Sequence, residues 1–214
     1  MSQALALIAH DLKNALGGLE AQLQALSQAD GPDPRTACEQ ALRQCQTLRE
    51  EFVQFLTLYA AESGELRPLC EDESPTDFLG HIARQWQGRL QQQGRPLQVE
   101  LAAAADAPPF WYFDRRLVRL ALDAALHNAA RFASQRIVLG CHTAQGCLVL
   151  TVQDDGPGLG QAPLQPEAIP ERNTGLGTAL CQAVAQAHCS GDVHGHIELL
   201  SPPQGGTCFA LHLP

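Results

Sequence analysis

The sequence has no long apolar run, no excess of positive charge and no closely spaced cysteine pair. No apolar run approaches the roughly 20 residues that a membrane span needs, and residues 4–9 are too short for a signal-peptide core. The 23 acidic and 14 basic residues give a net charge of −9. This charge argues against a nucleic acid or an anionic membrane surface as the main partner.

The cysteine pattern also excludes some classes of protein. The eight cysteines form no CxxC pair, so we expect small buried thiols in a reducing cytoplasm rather than a disulfide framework. Of the 214 residues, 45% are hydrophobic, which is typical of globular chains. The length suits one domain or two small ones with a real core.

The first third of the chain contains two heptad patterns. One pattern comprises Leu5, Ala9, Leu12, Leu16, Leu19, Leu23 and Leu26, and the other comprises Cys38, Ala41, Cys45, Leu48, Phe52, Phe55 and Tyr59. Loop-forming residues separate them at 27–34. The pattern predicts an antiparallel helical hairpin over residues 1–64. Two copies forming a four-helix bundle would cover both apolar stripes, whereas packing on the rest of the same chain is the alternative.

A histidine and a carboxylate lie side by side in the first predicted helix, in the stretch "AHDLKN". His10 follows Ala9, which places it about 100° around the helix and towards solvent. Asp11 is adjacent, and Asn14 lies one turn later on the face of His10. The segment fits either a solvated helix face or a nucleophile with its base beside it.

The pattern changes after residue 64. Amphipathic helices are predicted at 77–92, 115–133 and 178–188, and strands at 97–101, 136–141, 148–153, 196–200 and 207–213. We expect an α+β sandwich over residues 65–214, with a mixed sheet and helices on one of its faces.

Three segments in this region contain residues suited to binding a nucleotide. In "LHNAARF", Asn128 offers an oxygen suited to Mg²⁺, Arg131 a cation for phosphate and Phe132 a face for a base. In "DDGPGL", a carboxylate at a strand end precedes Gly156 and Gly158, and it could accept a hydrogen bond from an adenine amine. The segment "NTGLGT" opens a helix, where free N–H groups favour phosphate. A lone G-x-G is often only a turn, but the three segments in this order are more specific.

The chain resembles the catalytic core of a two-component sensor histidine kinase. "HDLKN" is similar to the H-box, "LHNAARFA" to the N-box, "DDGPGL" to the G1 box, "NTGLGTAL" to the G2 box and "GGTCFALHLP" to the last strand. The resemblance implies a dimerisation and histidine-phosphotransfer hairpin followed by a Bergerat-type ATP-binding domain. It further implies a homodimer that uses ATP and Mg²⁺ to phosphorylate His10 and then an aspartate of a response-regulator receiver domain.

The resemblance also assigns roles to single residues. Asp11 would accept the proton of His10, and Asn14 would position a partner or a water for the reverse reaction, in which the protein acts as a response-regulator phosphatase. Asn128 would hold Mg²⁺, Arg131 phosphate and Asp155 adenine. The remaining nucleotide contacts implied are Phe132, Gly156, Gly158, Gly175, Leu176, Gly177 and Thr207.

The sequence departs from the family pattern at several positions. Ala124 stands four residues before Asn128, where a polar or acidic residue is common. The lid at 160–173 is short, contains three prolines and lacks a phenylalanine, so we expect weak ATP binding and slow self-phosphorylation, with transfer from His10 still fast. Only nine residues precede His10, so input is expected from a separate sensor protein.

Two other classes of function stay open. One is a histidine phosphotransfer or adaptor protein with little or no ATP turnover. The other is an ATP-gated interaction module or a serine kinase of the anti-sigma type. Among the other histidines, His194 and His196 suggest zinc, but no third ligand is near in sequence, and we expect no metal site there.

Overall fold

The computed structural model describes residues 3–26, 34–102, 106–159, 176–203 and 205–214. Its Cα packing divides the chain into two units, Met1–Leu66 and Arg67–Pro214. This division lies two residues after the domain boundary expected between residues 64 and 65. None of the helices in the described part of the chain is long and apolar enough to span a membrane.

The first unit is a pair of packed helices, α1 (Gln3–Leu26) and α2 (Pro34–Glu62). Each heptad pattern divides into a buried and an exposed part. Leu12 and Leu19 of α1 are buried, as are Ala41 and Leu48 of α2. Leu16, Leu23, Phe52 and Tyr59 are about half exposed, at 50–51%. Two helices in contact cover only one side of each apolar stripe, so the hairpin retains an exposed apolar surface.

The described residues of the second unit form three long helices and a five-stranded sheet. The helices are α3 (Pro75–Gln92), α4 (Arg115–Phe132) and α5 (Leu176–Ala187). The strands of the main sheet are β2 (Gln98–Leu101), β4 (Arg136–Ala144), β5 (Cys147–Asp154), β8 (His196–Leu200) and β9 (Cys208–Leu213). Their order is β2-β4-β5-β9-β8, in which β2 and β4 are parallel and the other pairs antiparallel. The predicted α+β class with a mixed sheet is confirmed.

The core of this unit lies between the helices and one face of the sheet. Strand residues alternate between faces, and Leu150 of β5 and Leu211 of β9, which are directly paired, have no solvent exposure. Helices α4 and α5 contribute the equally buried Leu122, Leu126 and Leu180. The same alternation places Val152 and Asp154 on the helix-facing side of β5, where the functional site is found.

Four short strands were not predicted from the sequence. They are β1 (Glu71–Glu73), β3 (Trp111–Phe113), β6 (Cys189–Ser190) and β7 (Val193–His194), which pair as β1 with β3 and β6 with β7. Strands of two or three residues are too short for an alternating pattern to be recognised. Neither pair belongs to the main sheet.

The start of α4 is fixed by a buried carboxylate. Asp114 is 1% exposed and accepts hydrogen bonds from the backbone N–H groups of Arg116 and Leu117 at 2.9 and 3.1 Å. Its second oxygen accepts from the N–H of Leu69 at 2.8 Å. This N-cap satisfies donors that an unpaired helix start would leave unbonded. It thereby sets the position of α4, which carries the N-box residues.

Candidate functional site

A cavity of about 330 Å³ opens at one end of the second unit. It lies between α4, the start of α5 and the helix-facing sides of β5, β9 and β8. Five residues that were predicted to bind nucleotide line it: Asn128, Phe132, Gly158, Gly177 and Thr207. Asp154, the neighbour of the predicted Asp155, also lines it. The structure thus brings together residues from four separate segments of the sequence.

Asp154 is the carboxylate of the cavity. It is 6% exposed, and its Oδ1 accepts hydrogen bonds from the N–H groups of Gly156 at 2.9 Å and Thr207 at 3.3 Å. Burial raises the pKa of Asp154 above its ordinary value, the two N–H donors oppose this rise, and the neighbouring Asp155 adds to it. Both of these hydrogen bonds use Oδ1, so Oδ2 can accept a hydrogen bond from a ligand.

The prediction that Asp155 faces the nucleotide is corrected by its position. Asp155 does not line the cavity; its side chain accepts hydrogen bonds from the backbone N–H groups of Ser134, Gln135 and Arg136 at 2.8–3.2 Å. Burial would raise the pKa of Asp155, but these donors outweigh it and hold the pKa below its ordinary value. The physical reason is strand alternation: adjacent residues point to opposite sides. Asp155 therefore ties the end of α4 to the end of β5.

Two glycines allow the backbone to approach Asp154 closely. A Cβ at Gly156 would lie 2.5 Å from the carbonyl oxygen of Phe132 and 2.8 Å from Asp154 Oδ1. Gly206 has φ of +81°, and a Cβ there would collide with the carbonyl oxygen of Asp154. Any side chain at either position would push the loop away from the carboxylate, so both glycines shape the site. Gly156 was predicted as a nucleotide contact, and the structure places it behind Asp154 rather than in the cavity lining.

Helix α4 supplies one wall of the cavity. Asn128, Phe132 and the small Ala125 and Ala129 lie along it at helical spacing. Arg131 was expected near phosphate, but it does not line the cavity, and its guanidinium carbon lies 5.5 Å from the centre of the Phe132 ring. Such a contact is within the range of a cation–π interaction. Arg131 thus supports the ring of Phe132 in this conformation.

Ala124 departs from the family pattern, and Asp123, the acidic residue one place before it, is engaged elsewhere. Asp123 accepts hydrogen bonds from the indole N–H of Trp86 and from Nε of Arg119, both at 2.8 Å. Ala124 is 7% exposed and lies against Gly177, where an added Cβ would be 3.7 Å from its own. Asp123 therefore joins α3 to α4 and does not belong to the cavity lining.

The start of α5 lies beside Asn128. A Cβ at Gly177 would be 3.8 Å from Asn128 Nδ2, so the glycine keeps the helix start open next to that amide. The first N–H groups of a helix lack internal partners and attract anions. Leu176 begins α5 but does not line the cavity. Gly175 and the lid at 160–173 lie outside the described residues.

Apart from Phe132, the large apolar residues of the cavity were not predicted from the sequence. Val152, Leu159, Cys181, Leu199 and Phe209 line it together with the polar residues. Their positions follow from strand and helix periodicity, since Val152 lies two residues before Asp154 on the same face of β5. Ligand sites are commonly apolar with a few placed polar groups, and this cavity has that character.

The predicted phosphoacceptor lies in the first unit. His10 is exposed on α1, and its Nδ1 lies 3.1 Å from the side-chain amide nitrogen of Asn14, one turn further along. Asp11 lies in the same helix, and its side chain is outside the described part of the chain. The structure therefore pairs His10 with Asn14, as the helical spacing predicts, on a surface open to solvent.

The chain matches known proteins over its whole length. Residues 113–214 match the family described as histidine kinase-, DNA gyrase B- and HSP90-like ATPases. The chain is 28% identical to the sensor protein TorS of Escherichia coli over 100% of its own length and 24% of that protein. It is 25% identical to the adaptive-response sensory kinase SasA of Crocosphaera subtropica, over 99% of the chain and 59% of SasA. The chain therefore spans less than two thirds of these relatives.

Solved structures show the same architecture. The histidine kinase AdeS of Acinetobacter baumannii has a TM-score of 0.71 at 21% identity, covering 95% of this chain and 96% of that one. The full-length ShkA structure in complex with AMPPNP has a TM-score of 0.64 at 18% identity, covering 99% and 45%. At these identities the structural likeness establishes the fold. Residues 113–214 thus match this ATPase family, and over its length the chain is similar to histidine kinase catalytic cores in sequence and in fold.

Proposed function

We propose that this protein is a histidine kinase that binds Mg-ATP in the cavity beside Asp154 and phosphorylates His10. The phosphoryl group would then pass to an aspartate of a response-regulator receiver domain. The observation that carries this proposal is the cavity itself, which combines a buried carboxylate, an amide and a helix start. The same chain presents an exposed histidine on a separate helical unit.

The apolar end of the cavity suits adenine. Val152, Phe209 and Phe132 offer surfaces for a flat ring, and Asp154 Oδ2 can accept a hydrogen bond from the exocyclic amine. A hydrogen bond from a neutral donor to a buried carboxylate is stronger than one between two neutral groups. We therefore assign to Asp154 the adenine contact that the sequence suggested for Asp155.

The polar end suits phosphates and a magnesium ion. Asn128 is exposed at the cavity and adjoins Gly177 at the start of α5. Mg²⁺ takes a few protein oxygens together with phosphate and water, so the amide oxygen of Asn128 is a fitting protein ligand. When bound, the ion would offset phosphate charge. The N–H groups at the start of α5 would bind phosphate oxygens, and contact of Arg131 with phosphate stays a prediction.

His10 has the surroundings of a nucleophile that must be reached by two partners. Its exposure allows the γ-phosphate and later a receiver aspartate to approach. The Asn14 amide can turn either its nitrogen or its oxygen towards Nδ1, so it can hold the ring in either protonation state of that atom. The proposed role of Asp11 as proton acceptor rests on its adjacency in sequence. Phosphoryl transfer depends mainly on positioning and charge neutralisation, which these groups would supply.

The exposed apolar stripe of the hairpin supports a homodimer. Leu16 and Leu23 on α1, together with Phe52, Leu56 and Tyr59 on α2, are 47–51% exposed. Large apolar side chains that stay exposed along both helices of a hairpin are typical of a protein–protein interface. A second copy of the hairpin would cover it and complete a four-helix bundle. Each protomer would then present its own His10.

The direct test is incubation of the full chain with Mg²⁺ and γ-labelled ATP. We expect label on the protein that is lost in acid and retained in alkali, because a phosphohistidine is acid-labile. Stable label in acid would indicate a serine or threonine acceptor and would contradict the proposal. Absence of label, combined with rapid uptake from a phosphorylated receiver domain, would favour the phosphotransfer protein without ATP turnover.

A further inference from the structure

A row of histidines crosses the sheet on the face opposite the nucleotide cavity. Strand pairing places His142 opposite Val149, Val149 opposite His212, and His212 opposite His196. Directly paired residues of neighbouring strands point to the same face. His212 lies between the fully buried Leu211 and Leu213, which face the helices. The histidines therefore lie on the other side of the sheet, outside the site described above.

Two of these histidines converge on one carboxylate. Glu198 lies two residues after His196 on β8, and its two oxygens are 3.7 Å from His196 Nε2 and 3.6 Å from His212 Nε2. Both distances exceed those of a hydrogen bond. The imidazole rings are stacked with centroids 4.2 Å apart and planes inclined by 14°. One ligand atom from each of the three residues lies within 4.8 Å of the others.

The second observation is an unpartnered nitrogen. His212 Nε2 is buried and has no hydrogen-bond partner among the described residues. The side chain of His212 is 15% exposed, whereas those of His196 and Glu198 are 50% and 46% exposed. Burial, followed by the proximity of His196, lowers the pKa of His212, while Glu198 opposes this shift. Leaving a buried polar atom without a hydrogen bond is costly. His212 Nε2 lies next to the partly exposed carboxylate of Glu198, which a cation from solvent can reach.

We propose that His196, Glu198 and His212 form a binding site for a zinc-type divalent cation. Two imidazole nitrogens and a carboxylate oxygen are ligands that Zn²⁺ prefers, and three protein ligands leave a fourth position for water. Ligand atoms bound to tetrahedral zinc are about 3.3 Å apart, given bond lengths near 2.0 Å. The three side chains must therefore move closer together, and the stacked rings must tilt so that both Nε2 atoms point at one ion. Mg²⁺ and Ca²⁺ favour sites made entirely of oxygens and fit this donor set poorly.

The position of the site gives the ion a structural consequence. Among the described strands, β8 lies at the edge of the sheet and pairs with β9. The ion would link His196 and Glu198 of β8 to His212 of β9. Leu199 and Phe209, which alternate with these ligands along the two strands, line the nucleotide cavity on the opposite face. Cation binding would therefore fix the strand pair that forms one wall of the cavity.

The spacing of these residues in the sequence does not predict this site. Its third ligand lies 14 residues after Glu198 and meets it only through the register of β8 and β9. The closely spaced alternative, His194 with His196, is not supported. His194 belongs to β7, and its Nδ1 lies 3.1 Å from the carbonyl oxygen of Gln186. His194 thus provides a matched control: it is two residues from His196 but outside the cluster.

The test is a zinc titration of the full chain at neutral pH, measured by competition with a chromophoric chelator. Wild type and His194→Ala should bind one zinc ion with the same affinity. His196→Ala, Glu198→Gln and His212→Ala should each weaken binding at least tenfold, since even outer-shell changes at metal sites have effects of about that size. Zinc should raise the melting temperature of wild type and His194→Ala, whereas Mg²⁺ alone should not.

Cobalt substitution distinguishes this site from the eight free cysteines. Bound Co²⁺ should give visible absorption without a sulfur-to-metal charge-transfer band, because no ligand is a thiolate. Absence of zinc binding in wild type, equal binding by all variants, or a thiolate band would each overturn the proposal. Loss of binding in His194→Ala would also overturn it. Glu198 is an exposed side chain, and glutamine has the same shape, so Glu198→Gln should fold as wild type does. A loss of zinc binding in this variant would therefore reflect the lost carboxylate and not misfolding.

Discussion

The two units of this chain differ in how much of their apolar surface they bury. In the hairpin, Leu16 and Phe52 remain about half exposed, whereas in the second unit Phe113, Leu122 and Leu150 are fully buried. The second unit closes its own core with three helices on one sheet, and the hairpin leaves a stripe for a partner. This difference parallels the proposed roles: a nucleotide needs an enclosed cavity, and a phosphoacceptor needs an accessible surface.

The same contrast holds for the two groups at the centre of the chemistry. His10 is exposed on a helix, where two successive partners can approach it. Asp154 is buried, and its environment raises its pKa. A hydrogen bond to a buried carboxylate is strengthened by the low-dielectric surroundings. A phosphoacceptor histidine instead has to be accessible. The following variants test whether the roles divide between the units in this way.

The largest expected effect is on labelling. His10→Gln should abolish the acid-labile label from γ-labelled ATP while leaving ATP affinity unchanged, because the side chain is exposed and lies outside the cavity. The control is His81→Gln, an exposed histidine on α3, which should be labelled as wild type is. Label that persists at the wild-type level in His10→Gln would assign the acceptor elsewhere.

The next effect concerns assembly. Phe52→Glu should weaken the dimer by roughly tenfold or more, because each dimer loses two phenyl rings and gains two charges. The half of each ring that the hairpin leaves exposed is worth about 0.7–1.5 kcal/mol when it becomes buried. Analytical ultracentrifugation over a range of concentrations measures this change. Gln46→Glu adds the same charge at an exposed position about 120° around α2 and should leave the dimer intact. Equal dissociation of both variants would point to charge repulsion instead.

A smaller effect is expected on the stability of the second unit. Asp155 has a lowered pKa, so its hydrogen bonds to the N–H groups after α4 add stability above the unfolded-state pKa. That stability is lost as the pH falls through the folded-state pKa. Asp155→Asn should therefore lower the free energy of unfolding by about 1–2 kcal/mol at pH 7. The deficit should shrink in acid, as urea unfolding at several pH values would show; a constant deficit would contradict the charge argument.

The smallest effect comes from a buried histidine. Burial lowers the pKa of His188 below its ordinary value of 6.5, while the carbonyl of Val184 and Asp114 oppose this shift. Its Nε2 accepts from the N–H of Asp114 at 3.0 Å, which requires the neutral ring. Stability is thus present above the unfolded-state pKa and lost as the pH falls. Between pH 7 and 6 the loss is at most about 0.7 kcal/mol, the limit for a ring that stays neutral in the folded protein.

Replacing His188 by glutamine should flatten this part of the pH dependence, whatever the variant does to stability at pH 7. Thermal unfolding monitored by circular dichroism at closely spaced pH values would reveal the change in slope. An unchanged slope would mean that other groups, such as His212, account for it.

Elements with enough residues for a repeating pattern were predictable from the sequence. Heptad spacing predicted α1 and α2, and alternation predicted the five strands of the main sheet. The two-residue strands β6 and β7 have no period to detect. The split of each heptad stripe into buried and exposed halves, seen at Leu12 and Leu16, depends on where the second helix packs, and no local pattern records that.

Within the site, local motifs located the cavity but not every role. The alternation of Leu148, Leu150 and Val152 could have assigned Asp154 to the helix-facing side, since it lies on the same face of β5. The resemblance drew attention to Asp155 instead. The His196, Glu198 and His212 cluster required the register between two strands, and the apolar cavity lining required the packing of α5. Strand register and helix packing are features of tertiary structure, which local sequence patterns do not specify.

The adjacent aspartates offer the most direct test of the account, by calorimetric titration with Mg-ATP. Asp154→Asn should weaken binding by about 1–3 kcal/mol, the cost of disturbing a buried charge-assisted hydrogen bond, which is roughly 5- to 150-fold. Asp155→Asn, the same change one residue away, should bind within about threefold of wild type. Equal affinity of wild type and Asp154→Asn, or a loss confined to Asp155→Asn, would contradict the assignment of this cavity to the nucleotide.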